Sequence, residues 1–296
     1  MTVHAVLMTA YGGPTRPEEI RPFLENVVRG RRIPPERLEA VAHHYELIGG
    51  KSPMNELTFA QAEALRREVG TLPVHVGMRM WDPTIADTIA AMAAVGVGRA
   101  LGLVMSPFAC EASRERYMES IEAAQAALGP RAPRVSYPAS WHAHPLFIEA
   151  VAERVREVAV GEPRTLVFTN HSIPETMAAT SPYVTEFETA AAAVAARLGT
   201  ADWHLAYQSR SGLPRDPWLE PDVNDRLREL AERGVREVTV VPIGFVCDHV
   251  EVLYDLDVEA ARTATTLGVR LHRAPTVGTH PRFIAMLAEL VREAAR

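Results

Sequence analysis

A short apolar run that gives way to polar residues and a proline, Val167-Phe168-Thr169-Asn170-His171-Ser172-Ile173-Pro174, decides the fold of this chain. β-Branched and aromatic residues predict a buried strand, and the polar residues after them predict its end and the start of a helix. Open α/β sheets bind ligands at that edge, so we expect His171 at a ligand-binding edge of a parallel sheet. The structural alternative is a histidine that turns the chain ahead of Pro174, with Pro174 at the first helical position.

A second segment, also preceded by an apolar stretch, carries the acidic run Asp248-His249-Val250-Glu251-Val252-Leu253-Tyr254-Asp255-Leu256-Asp257-Val258-Glu259. Glu251, Asp255 and Glu259 recur at steps of four, which keeps them on one side of a helix, where like charges cost a few tenths of a kcal/mol per pair. A divalent cation would offset this repulsion, and carboxylates with an imidazole suit such an ion. The alternative is structural: Asp248 caps the helix, Glu251 completes a capping box, and the other two acids are solvated.

Strand-like runs alternate with helical stretches rich in alanine and glutamate. The strand-like runs are 5–8, 74–77, 101–105, 165–169 and 238–241. The helical stretches include 86–95, 148–158 and 190–198. This alternation predicts βαβ units and an α/β fold with parallel sheets, and no low-complexity linker interrupts it.

The two halves of the chain echo each other. Phe108-Ala109-Cys110-Glu111 with Tyr117 matches Phe245-Val246-Cys247-Asp248 with Tyr254 at the same offset. The stretch Ala10-Tyr11-Gly12-Gly13-Pro14 likewise answers Asn170-His171-Ser172-Ile173-Pro174. We expect two similar α/β domains in which Tyr11 and His171 occupy corresponding strand ends, one on each wall of an interdomain cleft that holds a flat ligand.

Composition allows two domains of ordinary size. The chain has 296 residues, of which 47% are hydrophobic and 23% charged, and its formal charge of −6 argues against general nucleic-acid binding. The two cysteines, Cys110 and Cys247, are too few for a disulfide framework or a four-cysteine metal site, so we expect free thiols in a reducing compartment. The first residues lack a basic leader, and no apolar run approaches the ~20 residues of a membrane helix, which predicts a cytoplasmic protein.

Six segments, taken in their order along nearly the whole chain, resemble motifs of the ferrochelatase family. They are 8–14 (MTAYGGP), 29–31 (RGR), 45–53 (YELIGGKSP), 170–174 (NHSIP), 216–222 (DPWLEPD) and 244–259 (GFVCDHVEVLYDLDVE). Each motif alone is unspecific, whereas the six together in one order are specific to the family.

The resemblance implies two similar Rossmann-like, chelatase-type domains, each a parallel sheet flanked by helices, with a porphyrin cleft between them. We place the first domain at residues 1–145, joined by a C-terminal helix at 280–296, and the second at 146–279. By the same resemblance the protein inserts Fe²⁺ into a porphyrin in haem biosynthesis. His171 and Glu251 then form the catalytic pair at the ring centre and bind the metal, and Asp255 and Glu259 continue the metal site along the helix.

Tyr11 resembles the tyrosine that coproporphyrin ferrochelatases place on the face of the macrocycle opposite the histidine, and we expect it to be a third catalytic residue. Coproporphyrin III carries four propionates, which arginines, hydroxyls and main-chain N–H groups bind well. The positions at or near the family's propionate contacts are Arg29, Arg31, Tyr45, Ser52 and Tyr117. The resemblance therefore predicts that coproporphyrin III and Fe²⁺ are converted into coproheme.

The chain departs from relatives that carry a Lys-His pair before a proline, because it has Arg79-Met80-Trp81-Asp82-Pro83 there, which puts a histidine-based outer metal site in doubt. Two cysteines do not suffice for the [2Fe–2S] cluster of some members. We expect a monomer with no permanently bound cofactor and no membrane insertion. Two alternatives stay open: a protoporphyrin IX ferrochelatase, and a tetrapyrrole- or metal-binding carrier without turnover.

Overall fold

The computed structural model describes residues 3–30, 33–158, 165–211 and 216–296. The described part of the chain folds into two compact units. The first unit consists of the described residues within Met1–Met105, Arg114–Ala139 and Ile284–Arg296, and the second of those within Ser106–Ser113 and Ser140–Phe283. Each unit is built on one four-stranded sheet.

The sheet of the first unit is entirely parallel. Its strands are β1 Ala5–Ala10, β2 Val74–Met78, β3 Arg99–Val104 and β4 Arg134–Ser136, in the order β2-β1-β3-β4. The accompanying helices are α1 Ile20–Val27, α2 Pro35–Leu47, α3 Met54–Val69, α4 Ile85–Ala94 and α5 Arg116–Leu128. Leu7 of β1 packs with Ile89 and Met92 of α4 in one buried cluster. Because β1 is paired on both edges and covered by helices, it is buried along its whole length.

The second unit repeats this plan. Its strands are β5 Thr165–His171, β6 Trp203–Gln208, β7 Glu237–Val241 and β8 Arg270–Arg273, again parallel and in the order β6-β5-β7-β8. Its helices are α6 Pro145–Val158, α7 Glu175–Ala178, α8 Tyr183–Leu198, α9 Val223–Glu232, α10 Val250–Tyr254 and α11 Ala261–Thr266. The last helix, α12 Pro281–Ala294, belongs to the first unit from Ile284 onward. Two π-helical segments span Glu111–Glu115 and Asp255–Ala260.

The fold confirms the prediction of two similar parallel α/β units. In each sheet the first strand along the chain lies between the second and the third, which is the internal duplication that the paired motifs predict. All five strand-like runs fall on strands, and the three helical stretches fall on α4, α6 and α8. The strands that the sequence pattern did not reveal, β4, β6 and β8, are edge strands; β4 and β8 have no buried residue, and only the second half of β6 is buried. Within the described ranges, no helix is both long and apolar enough to cross a membrane.

Candidate functional site

His171 is the last residue of β5, an interior strand of the second sheet. The strand is buried up to Asn170, and the half-buried ring of His171 follows at its carboxyl end. Its Nδ1 lies in hydrogen-bond contact with the carbonyl oxygen of Ser172, so Nδ1 carries a hydrogen and the neutral ring presents its lone pair at Nε2. The structural alternative for His171 placed Pro174 at the first helical position. That placement is wrong, because Pro174 is the N-cap of the short α7 and not its first helical residue.

Asn170 and Tyr183 hold the main chain at His171. The Tyr183 hydroxyl lies 2.8 Å from Asn170 Oδ1 and 2.9 Å from the carbonyl oxygen of His171, and Asn170 Oδ1 also accepts the N–H of His171 at 2.9 Å. Gly244 permits this packing, because a Cβ there would lie 2.1 Å from Asn170 Oδ1. Burial raises the pKa of Tyr183 well above its usual value, so the phenol keeps its proton and remains a hydrogen-bond donor.

Glu251 lies in the first turn of α10, and its main chain is held at both ends. Its N–H donates to Nδ1 of the N-cap residue His249 at 3.3 Å, and Gln208 Nε2 donates to its carbonyl oxygen. The capping-box alternative is therefore wrong, because the helix begins one residue later than that interpretation requires. Asp248 instead accepts hydrogen bonds from the guanidinium of Arg273 at 3.4 Å.

The side chains of His171 and Glu251 converge, with Nε2 of His171 3.5 Å from Oε1 of Glu251. A ligand can reach both, since 28% of the histidine side chain and 42% of the glutamate side chain are exposed. Burial alone would lower the pKa of His171, but the charge of Glu251 and hydrogen bonds to Glu251 and Ser172 raise it. Burial would likewise raise the pKa of Glu251, but the charge of His171 lowers it to about 2, so this carboxylate is ionised at neutral pH.

Asp255 and Glu259 extend the acidic row beyond Glu251 along the π-helical segment Asp255–Ala260. The residue that follows each acid is fully buried in the core of the second unit: Val252, Leu256 and Ala260. This burial fixes the rotation of the helical segment and leaves the acids outside the apolar core. Backbone with π-helical hydrogen bonding is frequent at functional sites.

The three acids differ in protonation. Burial, together with the charges of Glu251 and Glu259, raises the pKa of Asp255 to about 8 against the hydrogen bond that Ser209 Oγ donates. Burial and the charge of Asp222 raise the pKa of Glu259. At neutral pH a protonated Asp255 therefore stands next in the row to an ionised Glu251. In the part of the chain that the structure describes, no three or more His, Cys, Asp and Glu side chains form a preassembled metal cage.

Tyr11 directly follows β1, which holds the same interior place in the first sheet that β5 holds in the second. Tyr11 and His171 thus occupy the corresponding strand ends that the repeated motifs predict. The ring of Tyr11 meets Phe23 at a centroid distance of 6.4 Å and an interplanar angle of 75°. The guanidinium carbon of Arg79 lies 5.1 Å from the centroid of the Tyr11 ring.

Two further predicted substrate contacts belong to the same aromatic cluster. Tyr45 of α2 is buried against Phe23, with ring centroids 6.2 Å apart. The ring centroid of Tyr117 in α5 lies 5.4 Å from the guanidinium carbon of Arg79. Three residues that are far apart in the sequence are therefore grouped around one phenylalanine and one arginine.

Ser52, Arg29 and Arg31 complete the predicted substrate contacts of the first unit. Ser52 is buried, its N–H donates to the carbonyl oxygen of Pro14 at 2.8 Å, and its hydroxyl accepts the N–H of Met54 at 3.3 Å. Arg29 is exposed just after α1. The prediction for Arg31 lies outside the described residues.

Several residues that shape the site were not singled out from the sequence: His249, Gln208, Ser209, Asn170 and Tyr183. His249 directly precedes a helix, but histidine is not among the common N-cap residues. Ser209 has a φ of 63°, a left-handed conformation that few residues other than glycine adopt. Nothing in the sequence pattern indicates that conformation, so these supporting contacts could be identified only from the structure.

The sequence matches the ferrochelatase family over residues 3–295. The coproporphyrin III ferrochelatase of Mycobacterium ulcerans is 45% identical to it over 298 residues, which cover 99% of this chain and 87% of that protein. The coproporphyrin III ferrochelatase of Frankia alni is also 45% identical, over 98% of this chain and 80% of its own length. Among solved structures, SirB from Bacillus subtilis with Fe³⁺ aligns with a TM-score of 0.63 at 13% identity, covering 100% of this chain and 96% of that one, which shows a shared fold.

Proposed function

The chain belongs to the ferrochelatase family, and we propose that it is a metal chelatase that inserts Fe²⁺ into coproporphyrin III to form coproheme. Relatives named for this activity match nearly the whole chain at 45% identity. The observation that carries the proposal is the 3.5 Å approach of His171 Nε2 to Glu251 Oε1, on side chains that a ligand can reach.

Insertion replaces two pyrrole protons by one divalent cation, so the site must accept protons and offer donor atoms to a metal that loses its water. When its ring is neutral, His171 accepts a proton at Nε2, because its Nδ1 hydrogen is engaged with Ser172. Glu251 stabilises the imidazolium that forms and offers carboxylate oxygens to the metal. Its pKa of about 2 makes it a weak base beside a charged His171. We therefore propose that the two protons leave one after the other through His171.

Asp255 suits the next step of that route. A group that relays protons near neutral pH works best when its pKa lies close to the operating pH. The pKa of Asp255, about 8, meets that condition, whereas the pKa of Glu251 does not. We propose that the protonated Asp255 first passes its own proton onward to Glu259 and then receives one from His171, and that Glu259 carries protons or metal ions onward.

The first unit supplies the substrate contacts in this proposal. Tyr11, Tyr45 and Tyr117 belong to the cluster around Phe23 and Arg79, which supports a shared role in holding the porphyrin. Ser52 lies beside the loop that follows Tyr11, since its N–H donates to Pro14. The assignments of Arg29 and Arg31 to propionates rest on the family motif alone.

Fe²⁺ enters this scheme as a substrate, and we propose that no resident cofactor takes part. Cys110 and Cys247 are both buried and unbonded to each other. Their small number favours an enzyme without an iron–sulfur cluster. The monomeric state and the cytoplasmic location stay predictions.

An anaerobic insertion assay with Fe²⁺ and either coproporphyrin III or protoporphyrin IX tests the proposal. We expect repeated turnover with coproporphyrin III. His171→Ala and Glu251→Gln should each lose about 100-fold or more in rate, the scale of acid–base catalysis, and should keep porphyrin binding within about threefold. The matched controls are His204→Ala, near the start of β6, and Glu229→Gln, on the surface of α9. Both should stay within about twofold of the parent.

The other functions give different results in the same assay. Turnover limited to protoporphyrin IX would favour the second porphyrin as substrate. A single equivalent of bound metal or porphyrin without turnover would identify a carrier. If either His171→Ala or Glu251→Gln kept a rate within about threefold of the parent, a barrier change below about 1 kcal/mol, the assigned roles would be wrong.

A further inference from the structure

Arg79 places its guanidinium against two aromatic rings of the first unit. The guanidinium carbon lies 5.1 Å from the ring centroid of Tyr11 and 5.4 Å from that of Tyr117. Both distances lie within the ~6 Å over which an aromatic face attracts a cation. The main chains are joined as well: the N–H of Arg79 donates to Ala10 at 2.9 Å, and the N–H of Met80 donates to Tyr11 at 2.8 Å.

The polar contacts of Arg79 are incomplete in the described part of the chain. Its Nε is buried and has no hydrogen-bond partner among the described residues. A buried polar group without a partner costs free energy, so something else must hold the side chain in place. The rings of Tyr11 and Tyr117 contact the guanidinium and can offset part of that cost. The position of the guanidinium and the orientation of the Tyr11 ring therefore depend on each other.

We propose that Arg79 is a positioning residue that fixes the ring plane of Tyr11 for contact with the porphyrin. This proposal rests on the function proposed above. Phe23 meets the Tyr11 ring edge to face at 6.4 Å, and Arg79 packs against the ring at 5.1 Å. Rotation about the terminal torsion of a tyrosine is otherwise broad and two-fold. A planar guanidinium can lie flat on a ring, whereas the compact ammonium of a lysine cannot.

Steady-state kinetics with Arg79→Met and Arg79→Lys test the proposal. A displacement of about 1 Å in a positioned group can cost up to about 100-fold in rate. We expect Arg79→Met to lower kcat about tenfold while KM for coproporphyrin III stays within about twofold, and Arg79→Lys to restore less than half of the loss. The control is Arg67→Met, which removes an exposed arginine of α3 and should change neither constant. An unchanged kcat in Arg79→Met overturns the proposal.

A double-mutant cycle separates positioning from direct substrate binding. The readout is the Soret maximum of bound coproporphyrin III, which does not require turnover. If Arg79 acts through Tyr11, Arg79→Met shifts this maximum in the parent and adds no shift in a Tyr11→Ala background. Additive shifts, together with a KM raised about tenfold, would show that Arg79 binds a propionate directly and would overturn the proposal.

Fluorine NMR of protein labelled with 3-fluorotyrosine tests the contact without any substrate. The Tyr11 resonance is identified by its loss in Tyr11→Phe. We expect Arg79→Met to move or broaden this resonance and Arg67→Met to leave it unchanged; if Arg79→Met does not fold, Arg79→Lys takes its place. An unmoved resonance overturns the proposal even if insertion is active. A moved resonance in a protein that inserts no metal supports the contact and refutes the proposed function instead.

Discussion

Replacing Asp255 by asparagine isolates a carboxyl group whose ionisation differs between the folded and the unfolded protein. Burial and the neighbouring charges of Glu251 and Glu259 raise its pKa from 3.8 to about 8. As the pH rises, the unfolded chain therefore releases this proton near pH 4, and the folded protein releases it near pH 8. The contribution of Asp255 to the free energy of unfolding is fully present below about pH 4. It decreases between about pH 4 and pH 8 and changes no further above about pH 8.

The size of the effect follows from the width of that window. Each pH unit inside it changes the free energy of unfolding by about 1.4 kcal/mol for one such group. Between about pH 6 and pH 8 the parent should lose on the order of 2 kcal/mol from Asp255. The Asp255→Asn variant has no proton to release and still offers an oxygen to the hydroxyl of Ser209, so it escapes this loss.

Urea unfolding of parent and Asp255→Asn at pH 6, 7 and 8 measures the prediction. The variant should gain stability relative to the parent as the pH rises. Asp225→Asn is the control, because Asp225 is an exposed acid of α9 paired with Arg228, and its effect should not depend on pH. A variant-minus-parent difference that changes by less than about 0.5 kcal/mol across the range would refute the raised pKa. In the insertion assay, an unchanged rate in Asp255→Asn at pH 7 would refute the proton relay.

Other predictions address the metal and the supports of His171. Imidazole and carboxylate bind Zn²⁺ at least as well as Fe²⁺, so anaerobic assays should detect Zn²⁺ insertion, and an enzyme restricted to Fe²⁺ would contradict this. Gly244→Ala should cost about 2 kcal/mol in urea unfolding, because its Cβ would lie 2.1 Å from Asn170 Oδ1, and an unchanged midpoint would contradict it. Tyr183→Phe removes the hydroxyl beside the His171 carbonyl and should cost about 1 kcal/mol with a lower kcat; equal stability and rate would exclude that support.

The interior strands were predictable because their burial on both faces gives continuous apolar runs. Residues 165–169 and 238–241 read directly as the strands β5 and β7. The edge strand β8, Arg270–Arg273, has polar residues at three of its four positions and no fully buried residue, so its sequence resembles a loop. An edge strand such as β8 depends on its neighbour across the sheet, which a local pattern does not show. The edge strand β2 could be predicted because four of its five residues are buried.

The location of His171 at the end of a strand, and of Glu251 at the start of the helix that follows a strand, could also be inferred from the sequence. Both follow buried apolar segments, and parallel sheets gather such ends at one edge. Local spacing could not show that Nε2 and Oε1 approach to 3.5 Å. That distance depends on the order β6-β5-β7, which brings the ends of strands from different parts of the chain to one place.

The supporting contacts explain why spacing alone was insufficient. Gln208, at the end of β6, donates to the carbonyl oxygen of Glu251 across 43 positions of sequence, and Ser209 donates to Asp255 across 46. Two consecutive residues therefore hold two successive members of the acidic row against the strand that pairs with β5. Ser209 has a left-handed φ of 63°, so the backbone is strained at the residue that donates to Asp255. Contacts from the end of β6 therefore fix the position of the acidic row as much as its own helix does. The spacing of four residues predicts which acids belong to the row, but it does not predict where the row lies.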